Sequence, residues 1–160
     1  ALVLGVLSVR YFMWKYTGAP ETSFNDEFSL VLKDYDGQDV RLSQFKNQIL
    51  IVTMWASWCP YCAAEITNFS EVQPEYSEEL LIVAVNRAEP PVDAKAFSDT
   101  LTVSSQVKFL LDPDDSLFKQ VGGYAMPETL FIDKRGQIVF HQRGPMTKDE
   151  VRSKMAELLK

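Results

Sequence analysis

The sequence predicts an α/β sandwich: a central mixed β-sheet flanked by helices, with an extra β-hairpin on its N-terminal side. Three observations carry this. Residues 49–55 (ILIVTMW), 80–85 (LLIVAV) and 107–111 (VKFLL) are short apolar runs, as expected of strands buried on both faces. Helix-length segments separate them, as parallel crossovers require. Paired strand signals flank the turns Asp36-Gly37 and Lys134-Arg135-Gly136 before and after this unit. The order is therefore ββ, then βαβαβ, then ββα.

Taken along the chain, residues 1–9 (ALVLGVLSV) are apolar and run through Arg10 into Tyr11, Phe12, Met13 and Trp14. Nine apolar residues cover about 14 Å as helix, and a bilayer core takes about 20 residues. Residues 1–16 therefore read as the end of a membrane anchor or uncleaved signal that starts upstream. The aromatic cluster would sit at the interface. A signal-peptide remnant or a plain hydrophobic tail is the alternative. Residues 17–27 read as linker and 28–160 as one folded domain. Within it, 28–33 and 39–42 are two short strands, and 42–45 is a helical turn with Ser43 as cap. A helix should follow from Cys59 to about Ser70, with Ile66 and Phe69 facing the sheet and Pro74 ending or bending it. Further helices are expected over 92–101 and 116–121, and a hairpin over 129–132 and 137–140. Thr147-x-x-Glu150 is a capping-box signature that opens a last helix with Val151, Met155 and Leu158 inward.

Composition narrows the function. With 160 residues the chain is long enough to bury a substantial core, and a net charge of −6 without a basic stripe argues against a nucleic-acid surface. Two cysteines and one histidine, His141, fall short of a structural zinc site. His141 reads as an exposed strand residue. Asp112-Pro113-Asp114-Asp115 lacks the later ligands of a calcium loop and reads as a solvated turn.

The chemistry concentrates in Trp58-Cys59-Pro60-Tyr61-Cys62, directly after the first central strand. This spacing puts both sulfurs on the first turn of a helix, close enough to cycle between dithiol and disulfide. A structural bridge gains from closing a long loop, and this loop is minimal. Cys59, at the helix N-terminus, is the expected nucleophile, and Cys62 the buried resolving thiol. The helix terminus supplies about 0.3–1 kcal/mol, which lowers a thiol by less than about one pKa unit. Reaching a value near about 7 also needs direct N–H···S bonds and the Cys62 S–H. Glu65 stands three residues beyond Cys62, on the same helix face. It is either a buried carboxyl that relays the Cys62 proton or a solvated helix glutamate. Trp55 and Trp58 are expected to shield the sulfurs and offer apolar surface to a partner, with Pro60, Tyr61 and Met126 beside them as further substrate contacts. Met126-Pro127 fits a tight turn before a buried strand, with a cis or a trans bond.

With these residues assembled, the chain resembles the thioredoxin superfamily. Within it, the likeness is to the TlpA/ResA-like extracytoplasmic thiol-disulfide oxidoreductases, from about residue 24 to 159. It rests on Phe28-Ser-Leu-Val-Leu with Asp36-Gly37 and Leu42-Ser-Gln-Phe45, on Trp55-Ala-Ser-Trp-Cys-Pro-Tyr-Cys62, and on Cys62-x-x-Glu65. It continues in Ile82-Val-Ala-Val-Asn86, Met126-Pro-Glu-Thr-Leu-Phe-Ile-Asp133 with Gly136, and His141-x-x-Gly144. The resemblance implies that Cys59 attacks, Cys62 resolves, Glu65 is the buried carboxylate and Pro127 is a cis-proline facing the sulfurs. It also implies a domain outside the bacterial cytoplasm, tethered to the lipid bilayer by its N-terminus. Its substrates would be protein disulfides, notably in apocytochrome c maturation, and a membrane electron-transfer protein would recharge it. The Cys59/Cys62 pair would be the redox centre, with no other cofactor, no metal and no nucleic acid. Two departures stand out. Pro60-Tyr61 is the dipeptide of glutaredoxins, so the redox poise does not carry over. Thr53 stands six residues before Cys59, where thioredoxin has a buried aspartate. A disulfide oxidant or isomerase, a peroxiredoxin-like peroxidase, and a binding module switched by its cysteine pair are the competing readings. The peroxidase lacks its Pro-x-x-x-Thr-x-x-Cys run around Cys59.

Overall fold

A computed structural model describes residues 30–160 apart from residues 46, 104 and 106. The expected anchor and linker, and the start of the first predicted strand, lie outside the described residues. The strands are β1 (Leu32–Lys33), β2 (Asp39–Val40), β3 (Ile49–Trp55), β4 (Leu80–Arg87), β5 (Val107–Asp112), β6 (Glu128–Ile132) and β7 (Ile138–Arg143). The helices are α1 (Cys62–Val72), α2 (Pro91–Ser98), α3 (Ser116–Gln120) and α4 (Lys148–Leu158). One sheet runs β2-β1-β5-β4-β3-β6-β7. Strands β3, β4 and β5 pair in parallel, and the flanking strands join antiparallel, β6 on β3 and β1 on β5. This is the mixed α/β sandwich that the apolar runs predict.

The pleat divides the core into two layers. In β3, Ile49, Ile51 and Trp55 pack with Ile66 and Phe69 of α1, Ala94 of α2, and Val151 and Met155 of α4. Leu50, Val52 and Met54 pack on the other side with Leu117 and Phe118 of α3, Leu32 and Leu42. Each such side chain, once buried, contributes about 1.5–3 kcal/mol. Thr53 shares the face of Ile51 and Trp55, and it is the only polar residue in β3. The strand tolerates it only with a hydrogen-bond partner on that side.

Local signals set the element ends. Gly37, at φ +79°, closes the first hairpin with its N–H on the Asp34 carbonyl at 3.0 Å. A 3-10 turn, Leu42–Phe45, stands where a helical turn is expected. Helix α1 stops at Val72, and Pro74 lies in the 3-10 turn Gln73–Tyr76 that follows. The capping box at α4 is complete, with the Thr147 hydroxyl accepting from the Glu150 N–H and the Glu150 carboxylate from the Thr147 N–H at 2.8 Å.

Two surface assignments are corrected. Asp112 is buried, and its carboxylate accepts from the Ser116 and Leu117 N–H groups and the Ser116 hydroxyl, anchoring the start of α3. The aspartate cluster is thus only in part a solvated turn. His141 is half buried because β7 runs on to Arg143, and its Nε2 lies 3.6 Å from the buried Glu128 carboxylate. Desolvation, helped by the charge of Arg143, holds the imidazole below its ordinary pKa. Among the described residues no helix is long and apolar enough to cross a membrane.

Candidate redox site

The two cysteines sit where β3 gives way to α1. The Cys59 N–H donates to the Ala56 carbonyl at 3.1 Å, and the Cys62 N–H to the Cys59 carbonyl at 3.4 Å. The first α-helical bond is Glu65 N–H to the Tyr61 carbonyl at 3.1 Å. Cys59-Pro60-Tyr61-Cys62 is therefore a β-turn that feeds the helix, and only Cys62 is helical. Tyr61, at φ −102° and ψ −15°, has the dihedrals of the third residue of a type I turn, and Pro60 takes the second position that proline favours. The expected shared first turn is corrected: Cys59 lies one turn ahead of the helix, held there by the proline turn.

Cys59 and Cys62 form a disulfide, with Cα atoms 5.5 Å apart. Cys59 is 3% exposed and Cys62 0%. Trp58 at 65% and Tyr61 at 59% project into solvent beside the pair. Pro60 is exposed too, and Met126 is half buried against the layer that holds both cysteines. The Met126–Pro127 bond is cis, and Pro127 is buried. Trp55 departs from its expected place. It is 0% exposed, stacks on Phe97 at 5.2 Å and meets Phe109 edge-on at 6.1 Å, so it is core and offers a partner no surface. Its position in β3 points it into the layer of α1 and α2, and a side chain that large fills the layer rather than capping it.

Glu65 lies inside the fold, 1% exposed. Thr53 and Thr129 donate to its Oε2 at 2.7 and 3.1 Å, and the Met146 N–H donates to Oε1 at 3.1 Å. The two threonines face each other across β3 and β6. Burial pushes the carboxyl up to about 7, and the three donors only partly oppose it. The polar break in β3 and the carboxyl on α1 are thus partners.

Sequence reasoning missed Glu89. Its carboxylate crosses from the β4–α2 loop to the turn before Cys59, where it accepts from the Ser57 N–H at 2.8 Å and the Ser57 hydroxyl at 2.5 Å. Asn86 donates a third bond at 2.6 Å. Partial burial pushes Glu89 up, but these bonds outweigh it and hold the group below the ordinary glutamate value. The available signal was an acid before Pro90-Pro91, just past the carboxyl end of a parallel strand, the edge where α/β sheets place their chemistry. Glu128 was missed as well. It follows Pro127 but faces the other layer, where burial raises its pKa and Arg143 Nε lies 3.1 Å away.

The site can exchange two electrons between a dithiol and a disulfide. Among the described residues no group of three or more His, Cys, Asp or Glu side chains is placed to hold a metal ion. A thioredoxin-like sheet with a Cys-x-x-Cys disulfide at the end of its central strand defines a thiol-disulfide oxidoreductase. The Redoxin family profile matches residues 18–159, and the chain belongs to that family. Among its relatives is the thiol-disulfide oxidoreductase ResA of Halalkalibacterium halodurans, 29% identical over 133 residues, covering 82% of this chain and 74% of that one. The thioredoxin-like protein YneN of Bacillus subtilis is 28% identical over 164 residues, covering 96% and 94%. Among solved structures, the pneumococcal exposed lipoprotein thioredoxin Etrx1 from Streptococcus pneumoniae superposes with a TM-score of 0.71 at 28% identity, covering 81% of this chain and 98% of that one.

Proposed function

We propose that this oxidoreductase works as a reductase of disulfides in exported proteins, with Cys59 as nucleophile, Cys62 as resolving thiol and Glu65 as the proton acceptor. The Cys59 thiolate attacks one sulfur of the substrate disulfide. A Cys59–substrate bond forms, the substrate S–S bond breaks, and the displaced sulfur takes a proton from solvent. Cys62 then passes its proton to Glu65 and attacks Cys59. The Cys59–Cys62 bond forms and the second substrate sulfur leaves as a thiolate. The substrate gains two electrons that the dithiol loses, and a membrane-bound dithiol donor restores the reduced pair.

The observation that carries this reading is the asymmetry of the pair. Cys59 is the less enclosed residue of the two, at 3% against 0% exposure, and is flanked by the exposed Trp58 and Tyr61. Cys62 is fully enclosed, with Glu65 one helical turn on and titrating at about 7. The buried Pro127 would present its backbone to the bound substrate, and Trp58, Pro60, Tyr61 and Met126 would form the contact surface. The domain would comprise residues 28–160, and residues 1–16 would hold it at the outer face of the bacterial cytoplasmic membrane. The family resemblance and the lipoprotein relative support that location. Maturation of apocytochrome c is the client process that the resemblance favours.

Cys62→Ser should trap a mixed disulfide between Cys59 and the natural client, released by a thiol reductant, whereas Cys59→Ser should trap none. Trapping through Cys62 instead would overturn the division of roles. The reduction potential fixes direction: a value near about −270 mV supports a reductase, and one near about −120 mV an oxidant.

A further inference from the structure

We propose that Glu89 is a positioning residue that clamps the turn leading into Cys59 and thereby sets the equilibrium between the Cys59/Cys62 dithiol and its disulfide. The proposal rests on Cys59 being the reactive thiol.

Glu89 sits across a loop from the reacting atoms, and its reach is built into rigid backbone. Strand β4 ends at Arg87, and Ala88 follows at φ +47°, in the left-handed region that residues with a Cβ seldom adopt. Its N–H is tied to the Asp112 carbonyl at 3.0 Å, which holds this conformation. Pro90 and Pro91 come next, so Glu89 itself is confined to extended backbone. The carboxylate is thereby aimed back over the ends of β3 and β4. There it meets Asn86, register partner of Trp55, and Ser57, two residues before Cys59.

The bonding pattern is that of a clamp. Both carboxylate oxygens bind Ser57, one taking its hydroxyl and the other its backbone N–H, and the latter also takes Asn86. A bond to the backbone N–H fixes the chain and not merely a side chain. Trp58 follows at once and is largely free in solvent, so beside the Cys59 N–H bond to the Ala56 carbonyl the Glu89 carboxylate is a second tie on this turn. Fixing the turn raises the effective concentration of one sulfur at the other, which favours the disulfide. A fixed negative charge near Cys59 acts in the same direction, because it disfavours the thiolate and leaves the neutral disulfide untouched.

The test uses Glu89→Ala, Ser57→Ala and the double variant, each equilibrated with glutathione redox buffers. The fraction oxidised is read by alkylation and mass spectrometry. Glu89→Ala should shift the equilibrium toward dithiol by about tenfold, or about 30 mV. Ser57→Ala should move it the same way by less, and the double variant should add little to Glu89→Ala. A Glu89→Ala equilibrium within twofold of the parent, or additive effects of the two substitutions, overturns the proposal even if the melting temperature falls. Should Glu89→Ala not fold, the comparison of Ser57→Ala with the parent decides: a constant within 1.5-fold, on the order of the assay's resolution, counts against the clamp. The same alkylation, at limiting reagent on the reduced parent, maps which cysteine reacts first. Preferential labelling of Cys62 sinks the nucleophile assignment, whereas labelling of Cys59 with an unmoved equilibrium sinks only the clamp.

Discussion

Replacing Glu65 by glutamine should remove a loss of stability that this fold suffers as pH rises from about 4.5 to about 7. An ordinary glutamate titrates at 4.5, and burial pushes Glu65 up to about 7. At about 1.4 kcal/mol per pKa unit, ionising this carboxyl inside the fold costs about 3 kcal/mol. The sign follows from proton counts. Below about pH 4.5 the group is protonated in folded and unfolded chains alike and its contribution is fully present. As pH rises toward about 7 the unfolded chain has released a proton that the folded chain keeps, and stability falls by up to about 1.4 kcal/mol per pH unit. Beyond the folded value the loss is complete. Against a total of about 5–15 kcal/mol for a typical domain, 3 is easily measured.

Glutamine keeps the shape and never ionises. Its oxygen can take the Met146 N–H, and the hydroxyls of Thr53 and Thr129, which rotate, can accept from its amide. Urea unfolding of the oxidised parent and Glu65→Gln, from pH 4.5 to 8.5, should show the variant gaining on the parent by about 3 kcal/mol across that range. Burial also shifts Glu128 upward and His141 downward. Both are common to the two proteins and cancel in the difference. A difference constant to within about 0.5 kcal/mol would show that Glu65 titrates like a solvated carboxylate, and the proton-acceptor role would fall with it.

The two tryptophans should part company. Trp55→Ala should cost about 3–5 kcal/mol in urea unfolding, since it empties a stacked core position. Trp58→Ala should stay within about 0.5 kcal/mol yet slow exchange with a protein disulfide more than with a small one. Equal slowing on both substrates would remove Trp58 from the contact surface. Gly123→Ala would drive a Cβ into Glu128 Oε2 and to 2.6 Å from the Phe118 ring. Both neighbours are buried, so a loss of about 1–3 kcal/mol and a lower melting temperature are expected. An unchanged melting temperature would mean that the segment before Pro127 yields freely.

The three central strands were legible because strands buried on both faces must be apolar throughout, and the α4 start because a capping box is a purely local contact. Cys59-x-x-Cys62 was legible for the same reason, since four residues contain the whole device. What the sequence hid was depth. Trp55 and Trp58 look alike in the chain, and only Phe97 and Phe109, each more than forty residues away in sequence, decide that one is core. Asp112 and His141 are ordinary polar residues until α3 and Glu128 close over them. The first turn of α1 was overextended because a type I turn and a helical turn share their sequence preferences at Pro60.

The two glutamates of the site make the same point in chemical terms. Glu65 and Glu89 are one residue type, each with three hydrogen-bond donors, yet they are driven in opposite directions. Glu65 is nearly sealed from water, and its donors do not offset the lost hydration. Glu89 keeps part of its hydration, and its donors prevail. Groups whose pKa values are pushed apart divide acid–base work between them. In the proposed cycle Glu65, poised near neutrality, would accept and return a proton. Glu89, ionised throughout, can only hold position and charge. Exchanging their roles would require burying the Ser57 turn or opening the threonine pair to solvent, so the division is fixed by the layers of the fold and not by the carboxylates themselves.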